Sequence, residues 1–338
     1  MGLRITVKSC MVGEIEEMSE KKRLFSNTEI GESFSVTGMV FDIKRFAMHD
    51  GHGIRTTAFL KGCPLSCTWC HNPESQRAGR ELLFRDGLCR GCGACVAACP
   101  EEAIRLREGV AVTDRSRCTA CGVCVPVCPA DARELVGEIW SADALADELA
   151  RDTLFYDQSA GGVTLSGGEP LAQPAFCVEV LRRCRARGLH TAVDTCGHAD
   201  EDALRIVAEQ TDLFLYDLKL MDAERHRRST GVTNEKVFAN LERIDRWEKP
   251  IWIRVPLIPG INDDEENLAE LAVFLRPFRR VEAVHVLPYH RGGEAKWAGL
   301  GREDDTYPGI GPECSADAAE RAVRFLGDRL DVPVKRGG

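Results

Sequence analysis

Apolar residues fall in short branched or aromatic runs, separated by longer stretches with helical spacing. Val40–Ile43 and Thr57–Leu60 read as strands, with a turn at Asp50-Gly51-His52-Gly53 between them. Ser141–Arg151 reads as a helix and Gly162–Leu165 as a strand. Gln173–Arg187 is an expected helix ended by Gly188, and His190–Val193 an expected strand. A helix from Asp200 to Glu209 follows, then a strand at Leu213–Leu218 and a helix at Lys236–Trp247. The pattern closes with strands Ile251–Leu257 and Val281–Leu287 alternating with helices Glu265–Leu275 and Ala316–Leu330. Strands that alternate with helices imply parallel βαβ units, about six or seven strands in all.

The pattern breaks between residues 82 and 135, where a short hairpin at Ala103–Leu106 and Val110–Val112 lies among closely spaced cysteines. Residues 1–36 carry mixed charge without period and read as a disordered extension. The expected domains are therefore that extension, an α/β body formed by 37–81 and 136–331, and an insert at 82–135.

Composition narrows the function classes. A 338-residue chain with 44% hydrophobic and 29% charged residues is an ordinary globular protein. No apolar run reaches membrane-spanning length, and the N-terminus has no secretory core. A formal charge of −9 speaks against nucleic acid as a partner. Sixteen cysteines point to a reducing compartment, so a cytoplasmic location is expected. Cys10, Cys177, Cys184, Cys196 and Cys314 stand outside the cysteine runs. The helical pair Cys177 and Cys184 is expected to be buried.

Two runs share one spacing: Cys89, Cys92, Cys95, Cys99-Pro100 and Cys118, Cys121, Cys124, Cys128-Pro129. C-x2-C-x2-C-x3-C-P is the spacing of bacterial dicluster ferredoxins, in which the fourth cysteine ligates the other cluster. The expected sets are Cys89, Cys92, Cys95 and Cys128 for one 4Fe-4S cluster, and Cys99, Cys118, Cys121 and Cys124 for the other. Paired zinc sites are the alternative. The third run, Cys63, Cys67 and Cys70, has no fourth cysteine and leaves an open metal position, as catalytic sites do. A zinc site completed by His71 is the alternative there.

C-x3-C-x2-C is also the spacing of radical S-adenosylmethionine (SAM) enzymes, which this chain resembles. The resemblance implies a partial (β/α)6-type radical SAM barrel with an inserted ferredoxin-like α+β dicluster domain. It also implies a third 4Fe-4S cluster, which binds SAM and cleaves it to methionine and a 5′-deoxyadenosyl radical.

Motifs at the expected strand ends narrow the resemblance to the glycyl radical enzyme activating enzymes, the activases of the pyruvate formate-lyase type. These are His49-Asp50-Gly51 with Gly53-Ile54-Arg55-Thr56, Lys61-Gly62-Cys63, Cys70 to Glu74, Ser166 to Pro170, Asp194 to Gly197, Tyr216 to Lys219, Arg254 to Gly260 and Leu287 to His290. His52 departs from the proline usual in that turn. By this resemblance Trp69, Asn72, Gly167, Gly168, Glu169, Lys219, Arg254 and His290 would bind SAM. Glu169 would accept from its ammonium group. Asp194, Thr195 and Asp217 would hold a monovalent cation, with a structural Asp217–Lys219 ion pair as the alternative.

The implied activity is anaerobic oxidoreductase chemistry on a glycine of a partner glycyl radical enzyme. A flavodoxin or ferredoxin would supply electrons, and the free protein would be monomeric. A radical SAM enzyme acting on a small molecule, or a multi-cluster electron carrier, are the rival readings.

Overall fold

The computed structural model describes residues 35–302, 305 and 311–337. The N-terminal extension up to residue 34, with Cys10, lies outside the described residues. Val36–Gly338 forms one compact unit.

Thirteen strands occur among the described residues. They are β1 (Thr37–Ala47), β2 (Arg55–Leu60), β3 (Glu81–Phe84), β4 (Ile104–Arg107), β5 (Val110–Thr113), β6 (Arg133–Val136), β7 (Glu138–Ser141), β8 (Gly162–Gly167), β9 (His190–Thr195), β10 (Leu213–Asp217), β11 (Ile251–Leu257), β12 (Val281–Pro288) and β13 (Val334–Arg336). Nine form one sheet in the order β13-β12-β11-β10-β9-β8-β2-β1-β7.

Within that sheet, every pairing along the order from β2 to β13 is parallel. Helices such as Pro174–Ala186, Glu201–Ala208, Glu235–Arg246 and Glu265–Leu275 make the crossovers. β1 instead pairs antiparallel with β2, because the short link through Gly51 and Gly53 leaves no room for a crossover helix. The expected strand at Val40–Ile43 is thus present, but it runs against the parallel set.

Alternation along the parallel strands sends one set of side chains to the helices and the other to the concave face. Along β11, Ile251, Ile253, Val255 and Leu257 join the main core. Trp252, Arg254 and Pro256 fall on the opposite face, where Trp252 packs with Ala192, Leu213 and Leu215. Phe59 of β2 and Leu287 of β12 border one cavity, so the sheet curves into a partial barrel. That cavity lies at the C-terminal strand ends, where α/β barrels carry their functional groups.

The insert is closed by the antiparallel β3–β6 ladder, Glu81 opposite Val136 through Phe84 opposite Arg133. β4 and β5 form the hairpin within it. Among the described residues no helix is long and apolar enough to cross a membrane.

Candidate active site

The cavity measures about 500 Å³. β2 runs through Lys61 into a loop that brings Cys63, Cys67 and Cys70 to its wall. Glycine is required opposite this loop, since a Cβ on Gly168 would lie 2.5 Å from the Gly62 carbonyl oxygen and 2.7 Å from that of Ser75. Gly167 beside it has φ +118°, a backbone conformation natural to glycine.

The three thiols do not close on a point. Among the described residues no group of three or more His, Cys, Asp or Glu converges on a single metal ion. His71, the fourth zinc ligand in the alternative reading, is otherwise engaged. Its Nε2 lies 2.8 Å from the His290 carbonyl, and its ring stacks on that of His290 at 4.1 Å. Three thiols on one loop, at a cavity of this size, fit a polynuclear cluster with an open position better than a zinc ion. Burial pushes the Cys67 thiol up and the Cys70 thiol to about 12, whereas a hydrogen bond with the Cys196 thiol holds Cys63 down.

Charged side chains from successive strands form the opposite wall. Arg254 Nη1 lies 3.1 Å from Asp194 Oδ2 and 3.6 Å from Asp50 Oδ1, and its Nε lies 3.9 Å from Asp217 Oδ1. Neither Nε nor Nη1 is aligned for a hydrogen bond, although both atoms are buried. Lys219 Nζ donates to Asp217 Oδ2 at 2.6 Å. Burial pulls the Lys219 ammonium down, but Asp217 together with the Cys67 and Cys196 thiols outweighs it and the net shift is upward. The ion pair is therefore real, and both partners border the cavity.

Four residues sit differently from expectation. Glu169 is fully buried and is not among the residues bordering the cavity. Its carboxylate accepts from Thr195 Oγ1 at 2.7 Å, the Leu171 amide at 3.0 Å and the Cys196 amide at 2.8 Å. It is occupied in holding the β9 loop against β8, rather than presented to a ligand. Thr195 spends its hydroxyl proton on that bond. Asp194 and Asp217 flank Arg254, so the expected cation position already faces a guanidinium.

Trp69, Asn72, Gly167, Gly168, Lys219, Arg254 and His290 do border the cavity. Trp69 is buried and His290 exposed at the mouth. The expected cluster sets in the insert are also grouped. Cys99, Cys118, Cys121 and Cys124 border one small cavity, and Cys89, Cys92, Cys95 and Cys128 another. Cys177 and Cys184 are fully buried in the main core.

The short helix Glu294–Gly299 was not expected and latches the cluster loop. Trp297 Nε1 donates to the Cys70 carbonyl at 3.0 Å, and Lys296 Nζ bonds Asn72 Oδ1 at 2.9 Å and Glu74 Oε1 at 2.6 Å. Arg302 reaches Gln76 Oε1 at 2.5 Å. Six residues give no periodic signal. Only the density of polar and aromatic groups just beyond His290 marks them.

Burial pushes the Asp194 carboxyl up to about 6, against the pull of Arg254. A carboxyl with a raised folded pKa binds its proton more tightly in the folded state. Stability therefore falls as pH rises from about 4 to about 6, by about 2 kcal/mol from this group. Asp194→Asn is expected to lose that decline, as measured by anaerobic urea unfolding at pH 5 and pH 7. Equal declines in both proteins would remove Asp194 as its cause.

A family model for the radical SAM superfamily matches residues 117–272, and one for a 4Fe-4S dicluster domain matches 88–132. The trans-4-hydroxy-L-proline dehydratase activating enzyme of Clostridioides difficile is 45% identical over 262 residues, covering 77% of this chain and 86% of that protein. The choline trimethylamine-lyase activating enzyme of Oleidesulfovibrio alaskensis is 41% identical over 304 residues, covering 88% and 96%. Among solved structures, Streptococcus suis SuiB bound to the precursor peptide SuiA aligns with 96% of this chain and 60% of its own. The TM-score is 0.50 at 12% identity, a likeness of fold alone.

Proposed function

The chain belongs to the glycyl radical enzyme activating enzymes of the radical SAM superfamily, and on that premise we propose how its residues divide the work. The observation that carries the assignment is three cysteines on one loop, Cys63, Cys67 and Cys70, at the wall of a cavity at the C-terminal strand ends. Cys63, Cys67 and Cys70 would hold a 4Fe-4S cluster. The two insert sets would hold two more, three in all. With SAM bound, the cluster supplies reductive cleavage of the sulfonium C–S bond, giving methionine and the 5′-deoxyadenosyl radical that takes hydrogen from a glycine Cα of the partner.

The residues facing SAM are matched to its charges. Lys219 and Arg254 would take the carboxylate, the latter through the two buried guanidinium atoms that lack a hydrogen bond. Asp50, Asp194 and Asp217 give this wall three carboxylates against two cations. That balance suits a ligand carrying both an ammonium and a sulfonium. Trp69, Asn72 and His290 would border the adenosine end, and Gly167 and Gly168 would let it approach the backbone. Glu169 would act at one remove, by fixing the Thr195-Cys196 loop. A monovalent cation at Asp194 and Asp217 would have to draw both carboxylates away from Arg254, and Thr195 would have to release Glu169.

The electron donor would be a flavodoxin or ferredoxin, and the free protein a cytoplasmic monomer. Trans-4-hydroxy-L-proline dehydratase and choline trimethylamine-lyase, which the relatives' names give as their partners, are the first glycyl radical enzymes to try. The test is anaerobic. Reconstituted protein, reductant, SAM and partner should yield 5′-deoxyadenosine together with a glycine-centred EPR signal. Deoxyadenosine without a glycyl radical on any such partner would move the assignment to small-molecule chemistry.

A further inference from the structure

We propose that the two insert cysteine sets act in a fixed order. The Cys89, Cys92, Cys95 and Cys128 set is outer, and the Cys99, Cys118, Cys121 and Cys124 set is inner. The helix Glu294–Gly299 joins the inner set to the Cys63–Cys70 loop. This inference rests on the reading that all three groups hold clusters.

Exposure does not set the order, since Cys92 and Cys121 are both exposed. The attachment of the insert does. At the barrel end of β3, Glu81 Oε2 meets Lys61 Nζ at 3.1 Å, and Lys61 is two residues from Cys63. The next residue, Leu82, borders the cavity of the inner set. Phe84, two residues on and on the same strand face, borders the cavity of the outer set. Two residues of extended strand carry the chain about 7 Å further from the barrel.

A chain of contacts leads to the loop from Leu82, which borders the inner set's cavity. Arg115, three residues before Cys118, donates to the Leu82 carbonyl and, at 2.7 Å, to the Gly299 carbonyl. Two residues back on that helix, Trp297 is 3% exposed and donates to the Cys70 carbonyl at 3.0 Å. The helix end sits tightly on β3, because a Cβ on Gly299 would lie 2.9 Å from the Phe84 carbonyl oxygen. Arg115 and Trp297 thus span the gap between the inner set and a cysteine of the catalytic loop. Both are positioning residues. In each transfer one electron leaves a reduced flavodoxin- or ferredoxin-class carrier and is passed inward, with no bond made or broken.

The test reads spin relaxation rather than turnover. In the reduced holoprotein the SAM-binding cluster is identified by the EPR shift that SAM produces, and a nearby paramagnet quickens its relaxation. Cys121→Ala should lose this enhancement, and Cys92→Ala should keep most of it. Each variant should lack one cluster's iron. The reverse pattern, or equal loss in both, overturns the order. Absence of any SAM-induced shift in the unmodified protein removes the cluster reading, and this inference with it. Trp297→Phe keeps every ligand and tests the bridge independently. After mixing with flavodoxin hydroquinone, freeze-quench EPR should show electrons arriving at the SAM-binding cluster roughly tenfold more slowly, with an unchanged SAM shift. An unchanged rate overturns the role of the helix.

Discussion

Replacing Cys67 by alanine is expected to lower 5′-deoxyadenosine formation at least about 100-fold, beyond the 10- to 100-fold typical of lost outer-shell partners. Cys67 is the most deeply buried of the three loop cysteines, at 8% exposure. Its thiol must lose a proton to become a ligand, and burial opposes that loss while Lys219 favours it. With Cys67 gone, Cys63 and Cys70 remain on the loop and Cys196 beside them on the cavity wall, and among the described residues no group of three His, Cys, Asp or Glu converges on one metal ion. Cys177→Ala is the matched control. That thiol is fully buried but packs in the main core, with Sγ 3.1 Å from the Pro170 carbonyl oxygen. It should cost stability of about 1 kcal/mol and leave iron content and cleavage intact. Cleavage retained by Cys67→Ala would disqualify this cavity as the site of the chemistry.

Lys61→Met should destabilise the folded protein by about 3 kcal/mol. Lys61 is fully buried, donates to the Glu74 carbonyl and pairs with Glu81 at 3.1 Å. Truncation strands a carboxylate that is only 8% exposed. Its remaining partner is Arg77, largely exposed and 3.5 Å away. The double replacement Lys61→Met, Glu81→Leu should recover most of the loss, because it removes the orphaned charge along with its partner. Anaerobic denaturant unfolding measures both. A single-variant loss below about 0.5 kcal/mol would reduce the pair to the standing of a surface bridge.

The parallel strands were legible in the sequence because a strand covered on both faces must be apolar nearly throughout, as Leu213–Tyr216 is. The two insert cysteine runs were legible because cluster chemistry fixes their spacing. The elements that escaped lack such a constraint. β13 is three residues long with a polar centre, and the helix Ala223–Thr230 buries only His226 and Thr230. At the site, the sequence placed a carboxylate at the end of β8 but not its direction. Glu169 turns inward because its donors, Thr195 and Cys196, arrive from another strand end 26 and 27 residues away. Lys61, Lys296, Trp297 and Arg302 escaped for the same reason, since each acts through backbone carbonyls or side chains distant along the chain.

The β3–β6 ladder has an evolutionary corollary. Glu81 and Val136 face each other across an antiparallel pair, so the polypeptide leaves the barrel and returns to it at points about 5 Å apart. A tight turn could span that gap as readily as the whole cysteine-rich segment does. A lineage could therefore acquire or shed the segment in a single genetic event while the catalytic sheet kept its register. The part of such a step that has to be settled afterwards is Lys61, whose buried charge was matched to a glutamate at the junction.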